Sequence, residues 1–179
     1  ICCTKIRYDR CANEQGVRHT MNSAKYFIIF AIPLMYAHAV VAESDELCPK
    51  LTDFLSSISV DQAASIELHT SWGSNFSGVD DDGEYVMAAK RCIHGDVPSA
   101  KKACEYLMSN TSTEFPGLNF KRFLLCLSPK TKIEKDVQFS HAAVSLYFGS
   151  KDRGALLNLS LEEDEHIGGM VLKLEAEGY

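Results

Sequence analysis

The chain has 179 residues, of which 24 are acidic and 18 basic, and its formal net charge at pH 7 is −6. An acidic protein repels the phosphate backbone of nucleic acids, so this charge argues against nonspecific binding of DNA or RNA. The sequence contains no nucleophile elbow, no helix with paired zinc-binding histidines, no phosphate-binding glycine loop and no dinucleotide fingerprint, and we therefore predict that the protein is not an enzyme.

The first 20 residues, ICCTKIRYDRCANEQGVRHT, contain no methionine and no apolar periodicity. They precede a segment that is typical of an export signal, and such a signal stands at the start of a chain. We therefore predict that residues 1–20 are translated upstream sequence that takes no part in the fold.

Residues 21–42 have the three-part layout of a secretory signal peptide, with Lys25, an apolar run over 26–36 and then small residues. A transmembrane anchor is the weaker interpretation, because the run is shorter than the ~20 residues that cross a bilayer and contains Pro33. Cleavage after Ala42 is favoured because polar residues follow, although cleavage three residues earlier also fits. We expect the mature protein to be secreted or periplasmic.

The remaining segment, residues 43–179, has the length of one domain with a single core. Loss of residues 1–42 removes five basic and two acidic residues, which changes the net charge from −6 to −9. Residues 90–135 nevertheless hold nine basic residues against four acidic ones. Two interpretations stay open, namely attraction between opposite charges within one fold and a basic face that binds an acidic partner.

Four of the seven cysteines lie in the predicted mature domain: Cys48, Cys92, Cys104 and Cys126. An even number of cysteines in an exported domain predicts two disulfides, and the sequence leaves the three possible connectivities open. A zinc site formed by these thiols with His94 is the weaker alternative, because no Cys-x2-Cys pair is present. We therefore predict no metal and no cofactor.

Helical patterns occur in the first part of this domain. Leucine and phenylalanine recur at spacings of three and four over residues 49–57, and Pro98 in a first turn opens an alanine-rich segment that runs to about Met108. Residues 84–93 fit a helix or a strand, and we assign them to a helix. The apolar stretch 118–127 has the composition of a core segment.

Strand patterns dominate the last part of the chain. Apolar and polar residues alternate over 137–150, 154–161 and 169–178, with turn-forming residues between them, which predicts a three-stranded antiparallel meander. Residues 65–72 also alternate and predict a further strand. The expected fold is a single α+β domain in which N-terminal helices pack on a C-terminal antiparallel β-meander, crosslinked by disulfides.

The region from Cys92 to Cys126 contains a cysteine, a His-Gly-Asp-Val-Pro turn, an Ala-Cys-x-x-Leu helix segment and a later cysteine. This pattern resembles that of Streptomyces subtilisin inhibitor-like proteins. The resemblance implies that Cys92 pairs with Cys104. It also implies that the loop after Cys126 enters a protease cleft like a substrate, held by a second disulfide, with Ser128 as the specificity residue.

Export, small size, two disulfides and the absence of catalytic motifs together predict a binding protein that inhibits a peptidase, or a toxin in the manner of a periplasmic immunity protein. Its partner is then a protein. The residues assigned to partner binding are Cys126, Leu127, Ser128, Pro129, Lys130 and Lys132. The sequence departs from the inhibitor pattern in two ways: no cysteine follows Cys126, so the loop crosslink would have to run back to Cys48, and Pro129 directly follows the scissile position.

Two alternatives use other parts of the chain. Residues 87–96 and 100–107, placed before a meander, resemble the helical front of nuclear transport factor 2-like domains, which implies a ligand-binding module with an apolar cavity. An exported enzyme of unrecognised type would need His94 or His141 to converge with a carboxylate and a serine in a cleft.

Overall fold

A computed structural model of the chain describes residues 45–79 and 86–179. The predicted upstream segment and signal peptide lie outside the described residues. The elements are, in chain order, helix α1 (Leu47–Ser56), strands β1 (Ala63–Trp72) and β2 (Ala88–Ile93), helices α2 (Pro98–Asn110) and α3 (Pro116–Leu127), and strands β3 (Ala142–Gly149), β4 (Gly154–Asp164) and β5 (Gly169–Gly178).

The five strands form one antiparallel sheet in the order β2-β1-β5-β4-β3. The register of β1 on β5 places Ile66 opposite Leu174 and Leu68 opposite Leu172. Because side chains alternate between the two faces of a strand, this register keeps the apolar residues of neighbouring strands on one face. The sheet therefore presents a continuous apolar surface to the helices.

The three helices pack on that face and close the core. Their fully buried side chains include Leu47 and Phe54 of α1, Leu107 of α2, and Phe120 and Phe123 of α3. Pro98 and Pro116 begin α2 and α3. Proline lacks a backbone N–H, but in the first turn of a helix that N–H would have no acceptor within the helix. Within the described ranges, no helix is both long enough and apolar enough to cross a bilayer.

The structure confirms the predicted α+β class and the C-terminal meander. The alternation predicted for β4 is also confirmed, because all four of its inward-facing residues are buried: Ala155, Leu157, Leu159 and Leu161. The helices are not confined to the N-terminal part, since β1 and β2 lie between α1 and α2.

The assignment of residues 84–93 to a helix is wrong for the part that the structure describes. Residues 88–93 form β2, which pairs with β1 so that Cys92 lies opposite Leu68. A segment this short is a marginal helix by itself, whereas pairing satisfies its backbone groups on the edge of β1. Residues 84 and 85 lie outside the described ranges.

Two disulfides crosslink the domain, one between two helices and one between the sheet and a helix. Cys48 at the start of α1 is bonded to Cys126 in the last turn of α3, and Cys92 of β2 is bonded to Cys104 of α2. The first closes a sequence separation of 78 residues and the second one of 12 residues. This connectivity is one of the three that the sequence left open.

An ion pair at the start of α1 links the three helices. Arg122 of α3 donates to Asp45 through Nε at 2.6 Å and through a terminal nitrogen at 2.9 Å, and the hydroxyl of Tyr106 of α2 donates to the same carboxylate at 3.3 Å. Arg122 also donates to the carbonyl of Asn110 at the end of α2. The hydrogen bonds from Arg122 hold the pKa of Asp45 below its usual value, and the same contact raises the pKa of Arg122.

We expect this ion pair to make stability depend on pH in acid. Because the folded pKa of Asp45 is lowered, its contribution is complete above the unfolded pKa and is lost as the pH falls through the folded pKa. Asp45→Asn should therefore lower the free energy of unfolding by about 1–2 kcal/mol at neutral pH, since charged hydrogen bonds are replaced by neutral ones. Urea denaturation of both proteins at several pH values measures the difference.

The difference between wild type and Asp45→Asn should shrink as the pH falls below the ordinary range of aspartate. A difference that stays constant into acid would show that the carboxylate charge is not what stabilises the junction of the helices.

Candidate partner-binding surface

The segment that follows α3, residues 128–141, runs back along that helix towards its N-terminus before entering β3; we call it the strap. Its path is defined by contacts with α3, because Lys121 donates to the carbonyl of Glu134 at 2.8 Å and the ring of Phe139 lies 4.9 Å from that of Phe120. The sequence predicted a loop for the first part of this segment and a strand from residue 137 onward. The strand begins later than predicted, at Ala142, and residues 128–141 lie along α3.

The start of the strap is fixed by the end of α3. The N–H of Ser128 donates to the carbonyl of Leu124 at 2.8 Å, and Thr131 donates to Ser128 through its N–H at 2.9 Å and through its hydroxyl at 2.8 Å. The disulfide from Cys126 to Cys48 lies two residues before this turn. The first residues of the strap are thus held by a crosslink and by a capping turn.

The far end of the strap is fixed by close packing. The backbone of Phe139 approaches the backbone of Gly117 so closely that a Cβ at position 117 would overlap the Phe139 carbonyl oxygen. The N–H of Val137 donates to the carbonyl of Glu134 at 3.2 Å and forms a further turn. Glycine is required at position 117 because two backbones meet there.

Most strap side chains nevertheless point away from the core. Pro129, Lys130 and Lys132 are exposed, whereas Ser128 is half-buried in the capping turn. Cys126 and Leu127 are also half-buried, in the last turn of α3. The predicted partner-binding residues therefore form two groups. We call the half-buried residues Cys126, Leu127 and Ser128 the base, and the exposed residues Pro129, Lys130 and Lys132 the tip.

The exposed tip is basic. Lys130 and Lys132 take part in none of the ion pairs found among the described residues. Lys90, by contrast, donates to the carbonyls of Met108 and Thr111 at the end of α2, and burial lowers its pKa. The positive charge of the middle of the chain is thus divided among structural contacts, made by residues such as Lys90 and Arg122, the exposed strap, and exposed lysines on α2.

A groove of about 560 Å³ lies where the strap meets the N-terminal half of α3. Its apolar walls include Phe115, Leu118 and Val137, all three substantially exposed, together with Phe139 and Met170. Sequence reasoning missed this groove, because its walls come from three separate segments. The sequence does contain one signal for this site, the pair Pro116-Gly117. Proline indicates the start of a helix, and glycine there allows another backbone to approach closely.

The histidines named in the enzyme alternative do not form a catalytic group with described partners. His94 is half-buried, and its Nδ1 lies 2.5 Å from the carbonyl of the next residue. His141 lines the groove with Ser140 and Glu163, but no hydrogen bond among described residues joins its side chain to either.

The buried histidine is His69, on the sheet face opposite the helices. Arg91 donates to its Nδ1 at 3.1 Å, and its Nε2 lies 3.3 Å from Glu67, which also pairs with Lys173 at 3.2 Å. The guanidinium of Arg91 lies 5.0 Å from the ring centre of Phe76. Each ring nitrogen is thus engaged by a neighbour, as in a structural histidine. Within residues 45–79 and 86–179, no three His, Cys, Asp or Glu residues are arranged to hold a metal ion.

Comparisons of the chain with protein-family models, with curated protein sequences and with solved structures found no match. The case for a function therefore depends on the geometry and charge of the surface itself.

Proposed function

We propose that the chain is an exported, disulfide-crosslinked binding protein that inhibits a peptidase or a toxin through the strap. The observation that supports this most directly is that the strap is exposed along most of its length and yet held at both ends. A segment fixed in one conformation before binding loses less conformational entropy in a complex, and inhibitors use this to reach high affinity.

The charge of the strap indicates the kind of surface that it binds. Lys130 and Lys132 project from a domain whose predicted mature charge is −9, so they form a local positive site on an acidic protein. A partner with an acidic patch would be attracted to this site and oriented by it. The proposed contact residues are Pro129, Lys130 and Lys132, supported from below by Cys126, Leu127 and Ser128.

The conformation of Ser128 favours surface binding over substrate-like entry into a cleft. A scissile bond must lie in an extended, accessible segment, but the Ser128-Pro129 bond lies in a turn whose first residue is half-buried and hydrogen-bonded. We therefore propose that the strap blocks its partner as a rigid surface. A toxin, or a peptidase inhibited outside its cleft, fits this arrangement.

Charge reversal on the strap is expected to weaken partner binding. The test uses protein with both disulfides intact, incubated with periplasmic extract or culture fluid, and any retained hydrolase or toxin is then assayed for inhibition. The double variant Lys130→Glu with Lys132→Glu should raise the inhibition constant by roughly tenfold or more, because two attractive charges become repulsive. Titration of the retained activity measures the constant.

The matched control is Lys101→Glu with Lys102→Glu, which makes the same change of charge at exposed positions on α2. It should leave inhibition close to that of the wild type. If both double variants weaken inhibition equally, the effect is one of net charge and the strap is not the binding surface. Failure of the wild type to inhibit any retained hydrolase or toxin would refute the proposal.

A ligand-binding module remains the alternative, and the groove beside Phe115 and Leu118 is the observation in its favour. The space between sheet and helices is occupied by side chains such as Phe54, Leu159 and Leu174, each with no exposed surface. A small apolar ligand would therefore use the groove at the end of α3. Binding at that site should be insensitive to the charges of Lys130 and Lys132, which separates the two proposals.

A further inference from the structure

Strand β3 forms one edge of the sheet, and among the described residues it pairs only with β4. Its eight residues, AAVSLYFG, contain no charged residue and no proline, and they pair with β4 without interruption. Natural proteins protect exposed edge strands with lysine, proline or bulges, because an unpaired edge is a template for another strand. None of these devices is present in β3.

The opposite edge of the sheet differs in this respect. Strand β2 is six residues long, carries Lys90 and Arg91 side by side, and is bonded through Cys92 to α2. The two edges belong to the same sheet, so the lack of charge on β3 is a local property and not a general feature of the sheet.

The side chains of β3 are also left incompletely covered. Val144, Leu146 and Phe148 point towards the helix side of the sheet but are only half-buried. On the other face, Tyr147 has 79% of its surface exposed, more than any other large hydrophobic residue described. Both faces of the strand would thus gain apolar burial if another strand were added beside it.

We propose that β3 pairs antiparallel with β3 of a second copy of this chain, with the two-fold axis at Ser145. This register keeps each residue on its own face and places Val144 opposite Leu146 of the second copy. It also places the small residues Ala142 and Ala143 opposite the large residues Phe148 and Tyr147. An interface about a two-fold axis must be self-complementary. This strand meets that condition because its small side chains face large ones and its central serine faces the same serine of the second copy.

The charges at the two ends of β3 complement one another in the same arrangement. The turn after β3 carries Lys151 and Arg153 with Asp152 between them, a net charge of +1, while Glu162 and Glu163 lie just beyond Leu161, which pairs with Ala142 at the start of β3. Antiparallel pairing brings the basic turn of each copy towards the acidic end of the other. This attraction opposes the general repulsion between two acidic molecules. The interface does not involve Lys130 or Lys132, so it is independent of the proposed function.

The test is the molar mass of the oxidised wild-type protein by sedimentation equilibrium over a range of concentrations. We expect a reversible dimer. In this register Ser145 faces Ser145 of the second copy, so Ser145→Lys places two like charges directly opposite each other and should give a monomer. Ser145→Glu should do the same, and an equimolar mixture of the two variants should recover the dimer.

The matched control is Asn158→Lys on the neighbouring strand β4. Asn158 is exposed on the same face and accepts a hydrogen bond from Ser145 at 2.8 Å, so this variant loses the same bond and gains the same charge. It should remain dimeric. A wild-type protein that is monomeric at every concentration would overturn the proposal, as would monomers in both lysine variants, which would indicate association through the sheet face. Recovery in the mixture also shows that the single variants are folded.

Discussion

Removal of the disulfide between Cys48 and Cys126 is expected to lower the free energy of unfolding by about 4–5 kcal/mol, whereas removal of the one between Cys92 and Cys104 should cost about 3 kcal/mol. The reason is the length of chain that each bond closes, 78 residues in the first case and 12 in the second. A disulfide that closes a longer loop restricts the unfolded chain more, so removal of that disulfide favours unfolding more.

Urea denaturation of two double variants measures this difference, one with alanine at positions 48 and 126 and one with alanine at positions 92 and 104. Each variant keeps the other disulfide and serves as the control for the loss of two thiols. Equal losses, or a larger loss for the short loop, would mean that local packing around the bonds outweighs restriction of the unfolded chain.

Truncation of Phe120 is expected to have a comparable effect. Phe120 has no exposed surface, and its ring packs against Phe139 of the strap at 4.9 Å. Phe120→Ala should lower the free energy of unfolding by about 3–5 kcal/mol, because it removes a buried ring and leaves a cavity between α3, the sheet and the strap. It should also loosen the end of the strap, which hydrogen exchange of the amides of residues 137–139 would detect.

Leu118→Ala on the same helix is the control, because 52% of the surface of Leu118 is exposed. Its cost should be below about 1 kcal/mol. If the two variants were equally destabilised, the face of α3 that packs on the sheet would have been identified incorrectly.

Features that depend on local pattern could be predicted from the sequence. The alternation in β4 and β5 fixed which residues face the core, and Leu157, Leu159 and Leu174 are fully buried as that pattern requires. Pro98 fixed the start of α2 because its ring suits only the first turn of a helix. In each case the deciding signal lies within a few neighbouring residues.

Features that depend on distant contacts could not be predicted. Residues 88–93 have a mixed pattern, and pairing with β1 decides their conformation. The path of the strap depends on Gly117 and Phe139, which are far apart in sequence, and the ion pair that joins the helices connects Asp45 with Arg122. The partner-binding residues were placed by resemblance and charge, and only the structure distinguishes the exposed Lys130 from the half-buried Ser128.

The disulfide between Cys48 and Cys126 makes the conformation of the strap depend on the redox state of its surroundings. A bond between Cys48 and Cys126 forms and persists only where thiols are oxidised, and a newly made chain in a reducing cytosol would carry two separate thiols instead. The junction of α1 and α3 would then depend on core packing and on the ion pair between Asp45 and Arg122, and the base of the strap would be less firmly fixed. If the strap is the binding surface that we propose, oxidation of these two thiols would stabilise the conformation that binds the partner.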